Sequence, residues 1–198
     1  MATDKAISNL SIRLAKQDEG VVMSRFFRAA SNGMSDYIAS KFRDENETIE
    51  QFFEKFFADP EEDYGFTKTW MAELGGHVVG AMNGIPVGTS YDGGEYLEDP
   101  VLRPIWELEM PNSWCMQILA VNPAARGLGI GTKLIKLAER EARGHGLSKL
   151  SLTVQEDSSV AHRLYSKLGF IETDRRKLVA APPYFEPTGD VIQMVKEL

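Results

Sequence analysis

Leu119-Ala120-Val121-Asn122-Pro123-Ala124-Ala125-Arg126-Gly127-Leu128-Gly129-Ile130-Gly131-Thr132 decides how this chain is read. The apolar run predicts a buried strand, Asn122-Pro123 a turn, and the alternate glycines the approach to a helix. Glycine strips side chains from the turn, so backbone N–H groups can converge on a bound anion. The helix that follows adds its unsatisfied N-terminal donors and the positive end of its dipole. A diphosphate suits such a turn.

Two common phosphate patterns fail. A Walker A loop ends Gly-Lys-Ser/Thr, whereas here the order is Gly131-Thr132-Lys133. A dinucleotide fingerprint, G-x-G-x-x-G, lands on Thr132 when started at Gly127 and on Leu134 when started at Gly129. That spacing argues against a nicotinamide enzyme, although Glu156 closes the second strand of a βαβ unit. The pattern present is Arg-x-x-Gly-x-Gly: Arg126, Gly129 and Gly131 after a strand ending Leu-Ala-Val.

This resembles the coenzyme A pyrophosphate loop of the GNAT superfamily of N-acetyltransferases. A second block follows downstream. Ser158-Ser159-Val160-Ala161-His162-Arg163-Leu164-Tyr165-Ser166-Lys167-Leu168-Gly169-Phe170 is similar to that family's Asn-x-x-Ala-x-x-Leu-Tyr-x-Lys-x-Gly-Phe, with Ser158 in place of Asn. The resemblance covers residues 114–170, the expected acetyl-CoA-binding core. It implies one α/β (α+β) domain over 1–198: a mixed central sheet of about six to seven strands, helices on both faces and splayed central parallel strands.

Composition agrees with such a domain. The chain has 198 residues, 43% hydrophobic and 26% charged, enough for one substantial core. No apolar run approaches bilayer-spanning length, and Met1-Ala2-Thr3-Asp4-Lys5 lacks a signal-peptide core, so no membrane partner and a cytoplasmic location are expected. The single cysteine, Cys115, fits a reducing compartment. A formal charge of −7 argues against nucleic acid as a partner and mildly favours a cationic substrate, although many soluble enzymes are equally acidic.

Along the chain, 10–14 alternates as a strand. Residues 18–30 follow as a helix with Val21, Val22, Phe26 and Phe27 on one side, stopped by Asn32-Gly33. Thr48 and Gln51 form a capping box ahead of Ile49, Phe52, Phe53, Phe56 and Phe57, an aromatic stripe that reads as core. A hairpin is predicted over 68–82, around Gly75-Gly76. Segment 86–112, rich in proline, carboxylates and the aromatics Tyr91, Tyr96 and Trp106, reads as a lid or substrate wall, partly helical over 101–108. A strand at 114–121, a helix at 130–143 ended by Gly144 and Gly146, and a strand at 149–154 form a βαβ unit. A short helix at 158–168 and a hairpin of 170–178 with 191–195 complete the chain. Strand edges near the C-terminus suit a homodimer. Substrate choice should lie in segments 33–47, 86–112 and 180–189.

The resemblance implies acetyl transfer from the cosubstrate acetyl-CoA to a primary amine of a small molecule or peptide, by direct attack in a ternary complex and without a metal. It assigns Leu119, Ala120 and Val121 to the pantetheine arm. Arg126, Gly127, Leu128, Gly129, Ile130, Gly131 and Thr132 go to the diphosphate, and Ser158 and Ala161 to the second block. Tyr165 becomes the proton donor to the departing thiolate. The base stays open: Glu107 or Glu109 before the central strand, Glu156 or Asp157 after the return strand, or water over Gln117. Cys115 offers a rival covalent route, but no histidine adjoins it in sequence to activate it. His162 is expected to face solvent, and His77, His145 and His162 lack metal-ligand spacing. A catalytically silent acyl-CoA sensor is the alternative.

Overall fold

Alternating and apolar segments of the sequence become seven strands among the described residues, 9–90 and 94–198, of the computed structural model. They are β1 (Leu10–Leu14), β2 (Thr69–Leu74), β3 (His77–Val87), β4 (Ser113–Val121), β5 (Lys149–Gln155), β6 (Ile171–Lys177) and β7 (Asp190–Glu197). The helices are α1 (Gly20–Ser31), α2 (Met34–Phe42), α3 (Ile49–Ala58), α4 (Arg103–Trp106), α5 (Ile130–Gly144) and α6 (Ser159–Lys167). The hydrogen-bonded strand order is β1-β2-β3-β4-β5-β7-β6. The sheet is mixed, since β4 and β5 run parallel while β1–β2, β2–β3, β5–β7 and β6–β7 run antiparallel. Expectations on Met1 to Lys5 and on Tyr91 lie outside the described residues.

The chain forms two compact units whose boundaries fall inside β3, β4 and α5. The first runs up to Gly84 and includes Ile118–Lys136. Its core joins Met23 and Phe27 of α1, Ala39 of α2, Phe52, Phe53 and Phe57 of α3, Met71 of β2 and Ala81 of β3. Burial of such side chains stabilises by about 1.5–3 kcal/mol each. The rings interlock: Phe53 stacks on Phe57 at 5.5 Å, and Phe27 meets Phe57 at 4.5 Å. The expected capping box is present, with Gln51 N donating to Thr48 Oγ1 at 3.2 Å and Thr48 N to Gln51 Oε1 at 2.9 Å.

Two details differ from expectation here. Val21 is 48% exposed, and Met23 takes the core position on α1. Segment 33–47, one of those expected to set substrate choice, contains α2. Asn32 and Gly33 both adopt positive φ, so one junction ends α1 and starts the next helix within three residues.

The second unit comprises Ile85–Gln117 and Leu137–Leu198. Here β7 lies between β5 and β6, and its Val191, Ile192, Met194 and Val195 are buried. The parallel β4–β5 ladder has two rungs, Trp114↔Leu150 and Cys115↔Ser151, although both strands continue beyond them. This matches the expected splay. β3 runs on to Val87, with Pro86 exposed, so the insert is shorter than 86–112, and its helix is the single turn of α4.

Candidate active site

In the first unit, β4 delivers the glycine turn. Val121 ends the strand, and Asn122 caps a short turn by accepting Ala124 N at 3.1 Å through Oδ1. Ala125 is buried and pins that turn, while Arg126 is exposed and reaches back from Nε to the Val121 carbonyl at 3.4 Å. Gly127 and Gly129 have φ of +79° and +78°. A Cβ on either would meet no atom within 4 Å, so backbone conformation and not crowding requires glycine. α5 then starts at Ile130, which is buried. Leu128, Gly131 and Thr132 are half-buried, as are Leu119, Ala120 and Val121 on β4. Leu119 to Thr132 thus forms one contiguous strand–turn–helix.

A residue missed in the sequence supports this turn. Gly80 of β3 lies so close to β4 that a Cβ would stand 3.0 Å from the Ala120 carbonyl oxygen and 3.4 Å from Ile130 Cγ2. A bulge places Val79 between the pairs Ala72↔Gly80 and Glu73↔Val78, and the Val79 carbonyl accepts Asn122 N at 2.8 Å. An isolated glycine inside a strand pattern is the signal that could have found it.

In the second unit, α6 carries the second block. Tyr165 is buried, and burial holds its phenol pKa well above the ordinary value. The helix ends in a Schellman turn: Phe170 N donates to Tyr165 O and Gly169 N to Ser166 O, with Gly169 at φ +91°. This is why Gly-Phe closes the block. Phe170 is folded back, with its ring 5.6 Å from that of Tyr165. Ser158 and Ala161 are half-buried at the start of this helix. His162 departs from expectation, being half-buried with Nε2 at 3.2 Å from the Gln155 carbonyl.

The structure separates the candidate bases. Glu107 is exposed and faces Arg176 Nε at 3.6 Å. Glu109 is half-buried with Oε2 sealed from solvent, and its charge helps raise the Cys115 thiol pKa. Glu156 binds Asp190 N at 3.2 Å and Arg175 at 3.2 Å, and Asp157 accepts from Thr188 Oγ1 at 2.6 Å. Both carboxylates therefore fasten the 188–190 loop. Cys115 is buried, and desolvation pushes its thiol far above the usual range despite a hydrogen bond with Ser151. A thiol held protonated is a poor nucleophile.

Among the described residues, no group of three or more His, Cys, Asp or Glu is placed to hold a metal, and no helix is long and apolar enough to cross a membrane.

Known proteins share stretches of this sequence and the fold. Mycothiol acetyltransferase of Streptosporangium roseum is 39% identical over 57 residues, 29% of this chain and 17% of that protein. The chain spans only 17–27% of the length of the curated relatives it matches. Drosophila melanogaster polyamine N-acetyltransferase, which forms N-acetylagmatine, superposes with a TM-score of 0.67 at 16% identity, covering 96% of this chain and 100% of that one. A GNAT family acetyltransferase from Elizabethkingia anophelis with acetyl-CoA bound gives 0.60 at 16% identity, covering 96% and 99%. At these identities the likeness is one of fold. The profile of the acetyltransferase (GNAT) family matches residues 34–170, and the chain belongs to that family.

Proposed function

We propose that this chain, acting as one domain with its acetyl-CoA-binding core at about 114–170, transfers the acetyl group of acetyl-CoA to a primary amine by direct attack. The observation that carries this reading is the glycine turn at the start of α5, where positive φ at Gly127 and Gly129 bares backbone donors beside the helix N-terminus. Gly127 to Thr132 hold the diphosphate, with Arg126 adding charge. Leu119, Ala120 and Val121 offer backbone to the pantetheine arm, and Ser158 and Ala161 of the second block are further contacts for the cofactor.

The reaction needs one proton removed and one supplied. Glu109 takes a proton from the amine as its nitrogen bonds to the acetyl carbon. Glu109 is preferred to Glu107 because it is shielded, whereas Glu107 is exposed beside Arg176. The carbon–sulfur bond breaks, and Tyr165 passes its phenol proton to the departing thiolate. Burial keeps the phenol protonated at neutral pH, as the ordinary phenol value also would, so the proton is present when the sulfur leaves. Cys115 forms no acetyl intermediate.

A small cationic amine is the first acceptor to test. The chain carries a formal charge of −7, and the Drosophila neighbour forms N-acetylagmatine. Calorimetry with acetyl-CoA and with NAD, followed by thiol release from acetyl-CoA with agmatine, phenethylamine and a peptide α-amine, tests the reading. Binding of acetyl-CoA with turnover of at least one amine is expected. Binding without turnover would make the chain an acyl-CoA sensor, and binding of NAD alone would remove the assignment.

A further inference from the structure

Gln193 is the polar exception in the buried run of β7. Its neighbours Val191, Ile192, Met194 and Val195 are apolar, and it is itself 5% exposed. A buried amide is unfavourable unless its groups are bonded. Gln193 meets that condition by reaching 85 residues back along the chain, donating from Nε2 to the carbonyl oxygen of Leu108.

That carbonyl precedes Glu109. One residue beyond Glu109, Met110 O accepts Ser113 Oγ at 2.7 Å, and Ser113 is fully buried. The backbone on either side of Glu109 is therefore fastened by buried side chains, at Leu108 and at Met110. Each fastener is itself oriented. Thr173 Oγ1 donates to Gln193 Oε1 at 2.6 Å, which leaves the amide nitrogen for Leu108. Thr173 falls at the irregularity of β6, between the pairs Glu172↔Met194 and Asp174↔Gln193. On the far side, Ser151 and Ser113 lie 2.7 Å apart, and Ser151 donates because the Ser113 hydrogen is engaged by Met110. All these residues belong to the second unit.

We propose that Gln193 is a positioning residue for Glu109. It sets the backbone from which the carboxylate meets the amine, with Thr173 orienting its amide and Ser113 and Ser151 holding the opposite side. The inference rests on Glu109 being the base, as argued under Proposed function.

The test is a double-mutant cycle on the full chain. Thiol release from acetyl-CoA is followed with whichever of agmatine, phenethylamine or the peptide amine is turned over fastest. Glu109→Gln should lower kcat about 100-fold. Gln193→Leu, which keeps an apolar fit, should lower kcat about 10-fold while the acetyl-CoA KM stays within about twofold. The double variant should be no slower than Glu109→Gln alone, since misplacing an absent base has no further effect. Fold-losses that multiply, or an unchanged kcat in Gln193→Leu, would overturn the positioning role alone. An unchanged kcat in Glu109→Gln would overturn the base assignment and this inference with it, as would absence of turnover with every amine. Should Gln193→Leu fail to fold, Thr173→Val on the exposed strand β6 carries the same cycle with a smaller expected loss of about threefold.

Discussion

Tyr165 shows how one environment sets a side chain's chemistry. Burial disfavours phenolate, so the hydroxyl keeps its proton, which suits the proton-donor role proposed for it. Tyr165→Phe removes that proton and keeps the ring against Phe170. The expected outcome in steady-state kinetics is a kcat lower by about 100-fold with an unchanged acetyl-CoA KM. Its melting temperature should stay close to that of the parent. Cys115 sits under the same influence with the opposite meaning, because burial there silences a nucleophile. Cys115→Ala should retain kcat within about threefold, and intact-mass measurement after acetyl-CoA treatment of the parent should find no acetylated cysteine. The short helix that carries Tyr165 and its Gly-Phe close were legible because the spacing of Leu164, Tyr165, Gly169 and Phe170 is local. Gln193 was not, since its partner lies 85 residues away and a polar residue in an apolar strand has no local signature.

Among elements, the close approach of β3 to β4 governs the turn. Gly80→Ala places a methyl 3.0 Å from the Ala120 carbonyl and 3.4 Å from Ile130, so β4 and the start of α5 must shift. The expected result is a loss of about 1–3 kcal/mol in stability and an acetyl-CoA Kd raised several-fold by calorimetry. Gly75→Ala is the control. It sits at φ +59° in the β2–β3 turn with no neighbour within 4 Å, so it should lower stability by about 1 kcal/mol and leave Kd unchanged. Another element contact gives a pH dependence. Arg13 of β1 binds Glu19 at 2.6 Å and Glu73 of β2 at 2.6 Å. The Arg13 hydrogen bond is the main cause of a Glu19 pKa below its unfolded value. This stabilisation is present above the ordinary carboxylate range and disappears as pH falls through the lowered folded-state value. Arg13→Met should therefore flatten the fall of melting temperature in acid. The pair is partly exposed, so its contribution is about 1 kcal/mol or less.

At the scale of the whole molecule, the strand sequence, the hairpins and the βαβ unit were legible because periodicity and turn residues are local signals. What was hidden came from context. Asn32-Gly33 read as a stop and gave no sign that α2 starts immediately afterward. Pro86 opened the segment read as a lid, yet β3 passes through it, with Pro86 at an exposed position. The bulge in β6 was equally silent, being set by its pairing partners. The short β4–β5 ladder has a consequence of its own. The ladder that β4 shares with β5 ends after two rungs, although β4 lies in the middle of the strand order. Deuterium uptake along Gln117 to Val121 should therefore run at two speeds, quick and slow peptides taking turns. Hydrogen bonds from the amides of a pantetheine chain should bring the quick ones down to the pace of the rest.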